Sequence, residues 1–283
     1  MDLESRRAFI DEGIVFPESP RWRDGALWFV DMLVGRIMRA SLDGVTTVVA
    51  QHESWLSGLG WRADGECIVV AMEDRRLLAL SGERLVEAAD LTPLTRMHTN
   101  DMVVDAQGRA YIGEVGFDIH GGEPQRGANL VRVTPDGDVT IAASELACPN
   151  GAVIVDDGRT LIVAETLADR LTAFDISPDG ELTNRRIWAE FPGYGPDGIC
   201  ADADGGIWVA CPFAGAVFRV LEGGRKTHAF ETDDVLPLAC ILGGPERRHL
   251  FICYGLHPDE AQKIKGGGRI EVVETDAPGV GLP

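Results

Sequence analysis

One phrase recurs along this chain and limits what it can fold into. Its clearest copy is Cys148-Pro149-Asn150-Gly151, where an amide side chain opens an apolar run, four residues before Ile154 and eight before the turn glycine Gly158. The same grammar places Glu18 before Trp22 and Gly25, Ser57 before Trp61 and Gly65, Asn100 before Val104 and Gly108, and Asp197 before Ala201 and Gly205. A looser sixth copy has Leu238 ahead of Leu242 and a Gly-Pro turn. The opening positions, 18, 57, 100, 150, 197 and about 238, are separated by 39, 43, 50, 47 and about 41 residues. A repeat of about 40 to 50 residues, filled with short strands and turns, predicts an all-β fold, a six-bladed β-propeller.

Between the openings the chain reads as a meander. In the first repeat, strand-like runs at residues 26–31, 36–40 and 45–50 are separated by turns at Asp24-Gly25, Gly35 and Asp43-Gly44, the pattern of successive antiparallel hairpins. Near the N-terminus, Arg7-Ala8-Phe9-Ile10 has the alternation of a strand that could join the last repeat and close the ring, leaving no open edge. Gly58-Leu59-Gly60-Trp61-Arg62-Ala63 formally fits a dinucleotide fingerprint, but it leads into an Asp-Gly turn rather than a helix, and that reading fails. No linker or low-complexity break appears, so residues 1–283 are read as a single propeller domain. The insertion at residues 114–127, with Phe117, Asp118 and His120, is the place for a substrate cover, and together with the longer loop at residues 255–267, with His257 and Lys263, it is expected to set the pocket.

Equivalent positions in blades related by rotation form a ring, and the start of an inner strand faces the central channel. Four of the six openings are Glu18, Asn100, Asn150 and Asp197. Asn and Asp also serve as simple turn formers. Two carboxylates and two amides converging in a channel would be costly to bury unpaired, however, and a hard divalent cation removes that cost. An all-oxygen donor set suits calcium first, and also accepts magnesium, manganese, zinc or iron(II).

Charge excludes several partners. The formal net charge is -19, and the 26 basic residues form no cluster, which argues against nucleic acid and anionic membranes. No apolar run approaches the length of a membrane span and the first residues lack a signal-peptide core, so a cytoplasmic location is expected. The six cysteines show no metal-type spacing and lie in apolar strand patterns, as reduced core residues do. A G-x-S-x-G nucleophile elbow is absent.

Taken in order, Phe16-Pro17-Glu18-Ser19-Pro20-Arg21-Trp22, Asn100-Asp101 with Asp105 and Gly108-Arg109, Pro149-Asn150-Gly151, Pro196-Asp197-Gly198 and the tail from Pro278 to Pro283 resemble the gluconolactonase/regucalcin (senescence marker protein) family. The resemblance covers nearly the whole chain. It implies a metal-dependent lactonase that hydrolyses a small sugar or related lactone to the hydroxy acid. Carried over by motif, Glu18, Asn150 and Asp197 are the metal ligands, Asp197 is also the catalytic base, and Asn100, His98 and Asp101 face the substrate. Sugar-lactone members usually have an arginine where this chain has His98. The implied partner is a small-molecule lactone. The alternatives are an aryl-ester or phosphotriester hydrolase on the same metal, and a non-catalytic metal-binding propeller.

Overall fold

The computed structural model describes residues 6–118, 121–232 and 235–282. Its strands form six antiparallel sheets arranged as a six-bladed propeller. Blade one is β2 (Pro17–Arg23), β3 (Ala26–Asp31), β4 (Arg36–Ala40) and β5 (Thr46–Gln51). Blade two is β6 (Leu56–Trp61), β7 (Cys67–Ala71), β8 (Arg76–Ser81) and β9 (Arg84–Asp90). Blade three is β10 (Thr99–Val104), β11 (Ala110–Glu114), β12 (Ala128–Val133) and β13 (Val139–Leu146), and blade four is β14 (Pro149–Val155), β15 (Thr160–Glu165), β16 (Arg170–Ile176) and β17 (Leu182–Glu190). Blade five is β18 (Ile199–Asp202), β19 (Ile207–Cys211), β20 (Ala216–Val220) and β21 (Lys226–Glu231). Blade six combines β22 (Leu236–Gly243), β23 (His249–Gly255) and β24 (Arg269–Glu274) with β1 (Arg7–Ile10), the N-terminal strand, which supplies its outer edge.

The turns follow from their residues. Asp24 and Gly25 both take positive φ, 50° and 70°, which is the backbone a two-residue hairpin needs if its strands are to keep their right-handed twist. Inner and second strands are largely apolar and buried, whereas outer strands such as β9 and β17 alternate with solvent. Adjacent blades bury shared clusters: Leu27, Phe29, Cys200, Trp208, Phe251 and Tyr254 belong to one that joins blades five, six and one. All six cysteines are buried and unpaired, as their strand settings imply.

Inner strands all start at one end of the channel, so in an antiparallel meander the connections from second to third strand lie at that same mouth. These connections include short 3-10 turns at Met32–Val34, Thr166–Ala168 and Pro212–Ala214, together with both long loops. The second loop contains a feature the sequence pattern did not reveal, the helix α1 (Pro258–Ile264), which buries Ala261. His120 of the first loop, Met1 to Ser5 and Pro283 lie outside the described residues. At the opposite end, the tail strand β25 (Gly279–Val280) pairs with β18, and Leu282 bridges Ile154. No helix among the described residues is long and apolar enough to cross a membrane.

Candidate functional site at the channel mouth

The recurring polar residues of blades one to four sit at the same place in their blades, and Asp197 lies just ahead of β18. The ladder between first and second strands slips between Glu18 and Arg21, Leu56 and Leu59, Thr99 and Met102, Pro149 and Ala152, and Pro237 and Ala239. These irregularities fall on the slot residues, and bulges of this kind re-aim side chains where a strand begins. One position later the blades come very close. A side chain on Gly58 would meet the Met102 amide nitrogen at 2.5 Å, and one on Gly151 would meet the Asp197 carbonyl oxygen at 2.6 Å. Glycine at those points lets neighbouring slots converge.

Buried carboxylates clamp the approach to the slots. Asp31 accepts from the Val15 and Phe16 amides at 3.0 and 2.7 Å, Glu165 accepts from Ala147 N at 2.7 Å, and Glu114 accepts from Arg96 N at 2.7 Å. Each stands at the end of the second strand of its own blade, so the loop entering the inner strand is fixed from within the blade. Burial holds the Asp31 carboxyl above its usual range despite those two amides.

Glu18 and Asp197 are brought together electrostatically. Burial, then the nearby Asp101 carboxylate, push Glu18 up to about 8, against weaker opposing effects of the Ser19 amide and the Arg21 guanidinium. Burial raises Asp197 well above its ordinary value as well, with Glu18 and Asp101 adding to the effect and a hydrogen bond from Asn150 opposing it. Asp101 raises both acids and Glu18 raises Asp197, so this buried cluster holds its protons more firmly than free carboxyls do, and a cation beside it would favour the ionised forms. The nearest guanidinium, on Arg21, is already engaged. Its Nη2 donates to Asp101 Oδ1 at 3.0 Å and to Met102 O at 2.7 Å, while Nε reaches Leu59 O at 2.8 Å.

The amides complete the arrangement. Thr166 Oγ1 donates to Pro196 O at 2.8 Å and accepts Asn150 Nδ2 at 3.2 Å, which leaves Asn150 Oδ1 as that side chain's acceptor. Asn100 Nδ2 makes only a long contact with Pro149 O, at 3.5 Å. Asp169 accepts from the Gly193 and Gly195 amides, both at 2.8 Å, and so steadies the loop that carries Asp197. Among the described residues no group of three or more His, Cys, Asp or Glu side chains is placed to hold a metal ion. The donor set here is two carboxylates plus amide oxygens, hard ligands whose uncompensated charge fits a divalent cation of the calcium type.

The remaining expected site residues differ in setting. His98 is half-buried, with its ring centroid 6.2 Å from that of Trp55 and its carbonyl accepting from Val115 N at 2.9 Å. Asp101 forms part of the floor: its Oδ1 accepts from Ser19 Oγ at 2.9 Å, Arg21 Nη2 and Met102 N at 2.8 Å. Arg21, Ser19 and Thr166 were not singled out from the sequence. The one available signal was Arg21 itself, a cation inside an otherwise channel-facing strand.

The sequence profile of the SMP-30/Gluconolactonase/LRE-like region matches residues 16–254. The chain belongs to this family. It is 25% identical to a regucalcin from Xenopus laevis over 96% of this chain and 95% of that protein. It is also 25% identical to a pentonolactonase from Haloferax volcanii, covering 86% of this chain and 82% of that one. The solved structure of a calcium-binding regucalcin from Agrobacterium tumefaciens superposes with a TM-score of 0.82 at 21% identity, covering 99% of this chain and 96% of that one. That likeness is one of fold.

Proposed function

We infer that this protein is a metal-dependent lactonase. The observation that carries this reading is the pair of buried acids, Glu18 and Asp197, at the channel mouth, both held above the ordinary carboxyl range, with Asn150 acting on Asp197 in the opposite direction. Support comes from relatives that include a pentonolactonase and a calcium-binding regucalcin. Glu18, Asn150 and Asp197 would hold one divalent ion, calcium by the hardness of the donors. When bound, such an ion supplies Lewis acidity toward a lactone carbonyl and toward water.

The residues divide the remaining work. Asp197 accepts the proton of the attacking water on its carboxylate, and the same proton is available for the departing ring oxygen. Asn150, tied through Thr166 to Pro196, keeps that carboxylate oriented. Asn100 and His98 present donors beside it that orient the substrate, and Asp101 with Arg21 excludes water from below.

The test is hydrolysis, followed by pH drop, of a panel of lactones by chelator-stripped protein reloaded with calcium, zinc, manganese, magnesium or iron(II). Metal-restored turnover is expected, and Asp197→Asn should lose about a hundredfold or more of the rate. Undiminished turnover by Asp197→Asn would remove its role as base. Stoichiometric metal binding with hydrolysis of aryl esters or phosphotriesters alone would replace the lactone reading.

A further inference from the structure

Immediately above the slot ring lies a second ring. Two residues ahead of each slot, where the chain enters the inner strand, the six blades carry Phe16, Trp55, His98, Cys148, Gly195 and Leu236. None of these is charged, and the strong hydrogen-bonding groups among their side chains are the His98 ring and the Trp55 indole N–H. Three groups of contacts mark this collar. Phe16 and Leu236 share one apolar cluster with Leu238, Leu256 and Ala261 of α1, and Trp55 packs edge-on against His98. At Gly195 the missing side chain is replaced by the ring of Phe213, which lies against that glycine yet is 73% exposed. Blades two and five are opposite in a ring of six, so Trp55 and Phe213 stand on opposite sides of the mouth.

Resting on the lactonase reading, we propose that this collar selects lactones bearing an alkyl or aryl substituent over polyhydroxylated sugar lactones. An ester group held at the slot residues must project its ring substituent through the collar toward solvent. A hydrocarbon or aromatic group gains from contact with Trp55, Leu236 and Phe213. Several hydroxyls placed there would lose water and find only one imidazole and one indole N–H as partners, an arrangement that disfavours them.

Two measurements separate this proposal from the reading it rests on. The first compares kcat/KM for a γ-alkyl butyrolactone and dihydrocoumarin with that for gluconolactone and xylonolactone, in wild type and in Trp55→Ala and Phe213→Ala. The second follows binding of γ-alkyl and polyhydroxylated lactams, which are not hydrolysed, by calorimetry on the same metal-loaded proteins. The expected preference for apolar lactones is about tenfold or more, falling by about tenfold in each variant, chiefly through KM. Tighter binding of the alkyl lactam, weakened by Trp55→Ala, supports the collar even where no lactone is turned over, an outcome that would refute the lactonase alone. Equal or faster turnover of sugar lactones overturns the collar and leaves the lactonase standing. Failure of wild type to bind the alkyl lactam overturns the collar as well.

Discussion

Arg21 reaches from the inner strand of blade one to Asp101 on blade three, its Nη2 donating to Oδ1 at 3.0 Å, while its Nε caps Leu59 O of the blade between them. Both side chains are nearly inaccessible, 6% and 7% exposed. One guanidinium therefore ties three blades directly below the slot ring and forms the floor of the site.

Breaking that pair on one side should be worse than removing it whole. Arg21→Met leaves a buried carboxylate with no cation in a region that already holds Glu18 and Asp197, at a cost of about 3–5 kcal/mol. The double variant Arg21→Met, Asp101→Leu lacks the orphaned charge and should regain part of that loss. Urea denaturation of the three proteins measures both values, and a double variant no more stable than Arg21→Met would contradict this account.

The two slot acids make a prediction of opposite sign. Glu18→Gln removes a buried acid that is costly to ionise, so at pH 8 and above, where that carboxylate carries charge, the metal-free protein should melt at a higher temperature than wild type. The same change should abolish most of the stabilisation that calcium provides, since a ligand that binds only the folded state stabilises it by mass action. Melting curves with chelator and with excess calcium give both readings. A lower melting temperature in chelator would show that the Glu18 carboxylate is compensated without metal.

pH dependence follows from the same burial. The Glu18 carboxyl lies at about 8 in the folded chain against a reference value of 4.5, so the folded state holds its proton more firmly than the unfolded one. Stability from this group is fully present below about 4.5 and is lost as pH rises through about 8. Asp197 is displaced in the same direction and adds to the trend. Metal-free protein should therefore lose stability between pH 5 and 8, roughly the window in which most proteins are at their best, and calcium should bind more tightly across that interval with release of protons. Calorimetry in buffers of different ionisation enthalpy counts those protons; zero release at pH 6 would mean that both acids are already ionised.

Much of this architecture was legible in the sequence because it is written locally. Alternating strands, Asp-Gly turns and the spacing of Glu18, Asn100, Asn150 and Asp197 each need only a few neighbouring residues to be read. The site's supports are not local. Arg21 meets a partner 80 residues away, and Thr166 joins Asn150 to a carbonyl 30 residues further on. The clamps Asp31, Glu114 and Glu165 end apolar strands and look like ordinary turn acids until the fold folds them back onto the next inner strand. Asp101 was expected at the substrate because it follows Asn100, but alternation along a strand turns successive side chains to different surroundings. Helix α1 has seven residues, too few to display a helical period.

Thr166 gives the most selective test of how the amide ligand is held. Its hydroxyl donates to Pro196 O and accepts from Asn150 Nδ2, which aligns the Asn150 side chain with Asp197 through the backbone of the next blade. Thr166→Val keeps shape and burial but removes both bonds, freeing the amide to rotate. Supporting partners of this kind typically contribute about ten- to a hundredfold to metal affinity. Thr166→Val should therefore bind calcium about that much more weakly while unfolding only about 1–3 kcal/mol earlier, the cost of a buried acceptor left without its donor. Thr166→Ser restores the hydroxyl and should recover most of the affinity. Titration calorimetry with calcium compares the three proteins, and equal affinities for valine and threonine at this position would mean that Asn150 is oriented without Thr166.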